Sequence, residues 1–97
     1  MLSIEQRLRR EADDVHGWSN GPGDRYGRHS HAYTKILYCV SGSIDFALDD
    51  RVIQLRPGDR MELPAGTAHA ATVGPEGCAC VEGKARMQAR ADGEAEW

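Results

Sequence analysis

The sequence has no apolar run approaching the roughly 20 residues that cross a bilayer, which excludes a transmembrane helix. It has no basic excess either: 12 Lys and Arg stand against 15 Asp and Glu, a formal charge of −3. Nucleic-acid binding needs clustered cations to neutralise phosphates, so nucleic acid is not an expected partner. An apolar h-region of the kind a secretion signal carries is missing too. The first residues, MLSIEQRLRREADD, alternate charge instead, and the expected location is cytoplasmic, without membrane contact. Cysteine is sparse and odd in number. Cys39, Cys78 and Cys80 lack a framework spacing, which suits a reducing compartment and reads as three small buried apolar side chains. With 97 residues, 28% of them charged, the chain amounts to one folded domain with room for one modest core.

Three segments are readable along the chain. Ser3 followed three residues later by Gln6 is a capping-box pattern, and Ile4, Leu8, Ala12 and Val15 recur at helical spacing. A short amphipathic helix over residues 4–13 is expected, within an N-terminal helical segment of residues 1–16. The stretch GWSNGPGDRYG, residues 17–27, holds four glycines and a proline, so it predicts a connecting loop that neither helix nor strand crosses. From Tyr33 to Glu82 the signals are short strands: Tyr33–Val40, Ser43–Leu48, Arg51–Leu55, Arg60–Leu63, Ala68–Val73 and Cys78–Glu82. Turn residues such as SerGly, AspAsp, ProGly and ProAlaGly separate them. Regular spacing of this kind predicts an all-β sandwich or barrel over residues 17–83. Residues 84–97, rich in Ala, Arg and Glu, read as a polar C-terminal tail.

Within HSHAYTK, residues 29–35, strand alternation would place His29, His31, Tyr33, Lys35, Leu37 and Cys39 on one face. A third histidine, His69, follows the turn residues Pro64 and Gly66 in GDRMELPAGTAHA. Imidazole nitrogen suits first-row transition metals, and three such ligands leave coordination positions open for substrate or water. A single histidine is more simply explained as a surface or hydrogen-bonding group.

At these residues the sequence resembles the cupin superfamily, whose members are small β-barrels of jelly-roll (double-stranded β-helix) form. The first cupin motif is matched by Gly23, His29, His31 and Gly42, with Lys35 where the family has a glutamate. The second is matched by Gly58, Pro64, Gly66 and His69, with Val73 in place of an asparagine; fifteen residues separate the two motifs. The resemblance implies an all-β cupin barrel with a short N-terminal helix. Inside it, His29, His31 and His69 converge on a divalent transition metal: Fe, Mn, Ni, Cu or Zn. Three-histidine cupins without the glutamate include thiol and diketone dioxygenases.

Lys35 is the departure from the motif. An ammonium ~5 Å from a divalent cation costs several kcal/mol at an effective dielectric near 20, so something must compensate. Three solutions are open: a neutral lysine able to act as a base, an anionic ligand bridging metal and ammonium, or no metal, with Lys35 paired to an acid such as Glu62 or Asp45. The second is favoured, which makes a small anionic ligand or substrate the expected partner. Tyr33 and Lys35 are the candidate catalytic side chains, although Tyr33 is more simply read as a barrel-lining aromatic whose hydroxyl reaches a polar group. Trp18 and Tyr26 are placed to close the barrel mouth or to fill its core. On the opposite parity Ala32, Thr34, Ile36, Tyr38 and Val40 are largely apolar, which asks for a second cover from the N-terminal helix or from another subunit, and a homodimer is expected. Two function classes follow. One is a metal-dependent, dioxygenase-like enzyme acting on a small anionic molecule; the other is a cupin module that binds or senses a small ligand without turnover.

Overall fold

The computed structural model describes residues 1–86. Its elements are α1 (Ile4–Arg9), β1 (Ala12–Asn20), β2 (Arg25–His29), β3 (Lys35–Ala47), β4 (Val52–Leu55), β5 (Arg60–Leu63) and β6 (His69–Ala85). All strand pairings are antiparallel, and the centre of the sheet is the long ladder between β3 and β6. Each of these two strands merges a pair of short strands expected from the sequence. Their turn-like residues, around Gly42 and Gly74–Gly77, bend a continuous ladder and do not end it.

The bend divides the sheet into two leaves. In one, β1 and β5 flank the 78–85 half of β6 and the start of β3; in the other, β2 and β4 flank residues 69–73 of β6 and the end of β3. A register shift lies on either side of Gly42, between Cys39 and Ser41 and between Gly42 and Ile44. The irregularity changes the parity of the inward positions from Leu37 and Cys39 to Ile44 and Phe46, so residues on both sides of the bend enter one core. Leu55, Met61, Leu63, Ala71, Val73, Cys78 and Cys80 complete it, and the three cysteines are buried and free. Burial pushes all three thiols up, which keeps them protonated and unreactive.

Two expectations for the N-terminal third need correction. The helix is capped as read, with Ser3 Oγ accepting from the Gln6 N–H and Gln6 Oε1 accepting from the Ser3 N–H, but it ends at Arg9 and not at residue 13. From Ala12 the chain is β1, which runs through Gly17 into the stretch expected to be a loop, and β2 occupies its end. Gly17 is tolerated because its partner is the ordered backbone of β6, opposite Val81. Tertiary pairing outweighs the local weakness of glycine in a strand.

The apolar residues read as a helical face do share one cluster, by a different route. Leu8 comes from α1 and Ala12 from β1, with Ile4 and Val15 packed against them, and together they cover Ile36 and Tyr38 on the outer face of β3. The second apolar face of that strand is therefore covered within the chain, which answers in cis the packing reason for expecting a partner subunit. Glu11 fastens this cover: Arg60 donates to both of its oxygens, and the Tyr38 hydroxyl donates to Oε2 at 3.0 Å. The guanidinium of Arg60 holds the Glu11 carboxyl below its ordinary range. β6 continues through Ala85, and Arg86 donates to the carbonyls of Arg9, Arg10 and Ala12 just after α1. The remainder of the expected polar tail lies outside the described residues. No helix among the described residues is long and apolar enough to cross a membrane.

Gly42 is the position where the bend is least replaceable. Its φ is +71°, and a Cβ there would lie 1.9 Å from the Gly77 carbonyl oxygen. Left-handed backbone costs a non-glycine residue about 1–2 kcal/mol, and overpacking adds about 1–3 kcal/mol more. Gly42→Ala should therefore lower the melting temperature by roughly 10 °C or more. Gly27→Ala, where a Cβ meets nothing within 4 Å, should leave it nearly unchanged. Calorimetric scans of the two variants check the difference.

Candidate metal centre

The two histidine motifs meet because β2 and β6 pair. His29 on β2 lies opposite His69 on β6, so those two imidazoles are cross-strand neighbours with ring centroids 4.3 Å apart. His31 belongs to neither strand; the chain leaves the sheet after His29 and rejoins it at Lys35. The turn of the second motif holds this connecting segment. The Gly66 N–H donates to the His31 carbonyl at 2.8 Å, and the Ala65 N–H donates to Thr34 Oγ1 at 3.2 Å. Gly66 makes that turn with φ +80°, a conformation that favours glycine.

The three imidazoles offer ligand atoms that all lie within 4.8 Å of one another. Two of them are oriented by their own backbone: His29 Nδ1 sits 2.7 Å from the Gly27 carbonyl, and His69 Nδ1 sits 2.9 Å from the Thr67 carbonyl. An Nδ1–H donated to a carbonyl leaves Nε2 with its lone pair free, the tautomer a metal requires. His31 Nε2 is buried with no hydrogen-bond partner. Burial grades across the set from exposed His29 through half-buried His31 to His69, which is 1% accessible. The donor set thus fits a metal ion: three nitrogens, two fixed tautomers and one buried lone pair with nothing to satisfy it.

Around them is a cavity of about 270 Å³. Lys35, the first residue of β3, lines it, so the ammonium does point where the histidines point even though the strand between them is broken. Its partner is neither Glu62 nor Asp45. Glu62 is taken by Arg60 at 3.1 Å, and Asp45 lies beyond the bend, opposite Gln54 and Thr72. The acid is Glu82 of β6, whose Oε1 is 3.4 Å from Lys35 Nζ, with both side chains 11% accessible. The same oxygen accepts from the Trp18 indole N–H at 2.7 Å, and Oε2 lies 3.7 Å from His16 Nε2.

Sequence reading passed over Glu82 and His16 as site residues. A signal for Glu82 was present: Cys78, Cys80 and Glu82 alternate along one strand face, which sets a carboxylate in line with two buried thiols. His16 is opposite Glu82 across β1 and β6, a placement readable only once β1 is known to be a strand. Trp18 and Tyr26 line the cavity as an edge-to-face pair with centroids 6.0 Å apart. Tyr33 is not among the lining residues. Its ring lies 5.2 Å from that of His31, with the Lys84 ammonium 5.0 Å from its centroid.

Burial is the main cause that pushes His31 and His69 down from the ordinary value of 6.5, and the Lys35 charge acts in the same direction. Both rings are therefore neutral at neutral pH. As pH falls through about 6.5 the unfolded chain takes up protons that these two rings refuse, so stability is full above that value and declines below it. Metal-free protein should melt at a lower temperature at about pH 5.5 than at about pH 7.5, a range above carboxylate titration. His31→Gln should reduce the difference, and thermal scans in the two buffers measure it.

Comparison with known proteins agrees with this geometry. The model of the cupin domain family matches residues 18–82. A quercetin 2,3-dioxygenase of Bacillus subtilis (strain 168) is 44% identical over 54 residues, which is 54% of this chain and 16% of that protein. The chain thus spans about a sixth of that relative. Among solved structures, a conserved protein with a double-stranded β-helix domain from Klebsiella pneumoniae subsp. pneumoniae has a TM-score of 0.65 at 28% identity, covering 77% of this chain and 70% of its own. A conserved protein of unknown function from Streptococcus pyogenes has a TM-score of 0.67 at 22% identity, over 76% of this chain and 64% of its own, a likeness of fold alone. Trp18 and Glu82, the two ends of the family match, are also the hydrogen-bonded pair on the cavity wall, and the chain belongs to the cupin family.

Proposed function

We propose that the chain is a small metal-dependent cupin in which His29, His31 and His69 hold a divalent transition ion, and that it acts on a small anionic molecule in the manner of a dioxygenase. The observation that carries this reading is the buried, unpartnered Nε2 of His31 beside two imidazoles whose tautomers are already fixed. Leaving such an atom unsatisfied costs roughly 1–3 kcal/mol, and an ion shared with His29 and His69 removes that cost. A bound transition ion supplies Lewis acidity and, for redox-active metals, access to oxygen chemistry.

The rest follows from the chain's own groups. Imidazole ligates in its neutral form, and Lys35 and Glu82 cancel each other, so these residues leave the charge of a dication uncompensated. An anionic ligand completes the balance. The cavity, about 270 Å³ and walled in part by Trp18, Tyr26 and Phe46, lies at the small end of ligand pockets and suits a compact molecule with an apolar part. Those aromatic groups exclude water from one side of the ligand while exposed His29 marks the open side. The dioxygenase character is supported by the local similarity to the quercetin 2,3-dioxygenase and by three histidines standing without the motif glutamate.

Protein loaded in turn with Fe, Mn, Ni, Cu and Zn should consume oxygen in the presence of a small enolate, carboxylate or thiolate with at least one of these metals. His69→Ala should lose both the metal and the uptake. An oxygen electrode and elemental analysis together make the test. Binding of such an anion without oxygen uptake under any metal would instead identify a non-catalytic ligand-binding module.

A further inference from the structure

The family's glutamate is absent from the first motif, yet a carboxylate stands in the cavity. Among the described residues lining it, Glu82 is the only acid and Lys35 the only ammonium. The two come from adjacent strands. Leu37 on β3 is directly opposite Glu82 on β6, and Lys35, two residues before Leu37, shares its face, so the pair is a diagonal cross-strand contact. Glu82 is also held from the other side, where His16 lies directly opposite it on β1 and Trp18, two residues on, donates its indole N–H. The carboxylate is therefore clamped between two strands and can neither swing to solvent nor be replaced by Glu62, which Arg60 occupies.

We propose that Glu82 is the counter-ion that allows a cation to bind beside Lys35: the pair is neutral as a whole, so the lysine standing at the motif glutamate's position adds no net positive charge to the site. The inference rests on the metal-binding reading above. Support comes from the cavity itself: Lys35 and Glu82, 3.4 Å apart, line the same space as the three histidines, so a metal ion at the imidazole nitrogens meets the opposed fields of an ammonium and a carboxylate. Glu82 acts by its charge, which offsets that of Lys35 at the ion, and not as a ligand; it is not among the ligand atoms that cluster within 4.8 Å.

The role is distinguishable from ligation by a double-mutant cycle read in metal affinity alone. Metal-free parent protein, Glu82→Gln, Lys35→Met and the double variant are titrated with Co²⁺ and followed by visible absorption and calorimetry. Glu82→Gln should weaken binding about 10-fold or more, and Lys35→Met should tighten it by a similar factor. The double variant, which restores the net charge, should bind within about 3-fold of the parent. Parent-like affinity in Glu82→Gln would overturn the proposal. So would a double variant as weak as Glu82→Gln, since the carboxylate would then act on its own. Should Glu82→Gln fail to fold with its ammonium unpaired, Lys35→Met and the double variant still decide: equal affinities in those two contradict a counter-ion. His69→Ala is the separate control, because equal Co²⁺ binding by parent and His69→Ala would remove the three-histidine site itself and not this role of Glu82.

Discussion

The ladder between β3 and β6 is the interaction on which everything else rests. Among the described residues it is the one pairing that runs through both leaves of the sheet, and the bend at Gly42 turns it from a flat ribbon into two faces that bury a common core. The same ladder builds the site. It carries Lys35 at one end of β3, Glu82 on the facing part of β6, and His69 where β6 begins, so three of the cavity's charged or ligating groups are placed by these two strands. A one-residue slip would send each of them to the opposite face.

What is added to that frame is small. β2 brings His29 opposite His69, and the Gly66 turn holds His31 by a single backbone hydrogen bond. Metal-ligand histidines are usually oriented by an outer hydrogen bond, and for His29 and His69 the acceptors are the backbone carbonyls two residues earlier, at Gly27 and Thr67. Orientation therefore depends on chain path and not on further side chains. That leaves Glu82, the one carboxylate among the described residues lining the cavity, free for a different duty, the neutralisation of Lys35.

Much of this was legible in the sequence, for physical reasons that can be named. The capping box, the turn residues and the two motifs act over short spans, and they located the helix start, most strand positions and the three histidines. β1 was not legible, because glycine-rich backbone becomes a strand only when a distant partner pairs with it. The alternation from His29 to Cys39 gave the direction of Lys35 although the strand is interrupted, whereas Tyr33, within the interruption, lies off the cavity. Glu82 was missed because its meaning depends on register: only the pairing of residues 35–37 with 82–84 sets it beside the lysine.

The central claim is that three imidazoles gather around one ion and that neither the buried thiols nor the lysine enter its coordination shell. X-ray absorption at the metal edge of the loaded protein addresses it most directly. The expected spectrum contains about three imidazole nitrogens near 2.0–2.1 Å, with outer-shell ring scattering and no sulfur. A shell with sulfur at about 2.3 Å, or with fewer than two imidazoles, would contradict it.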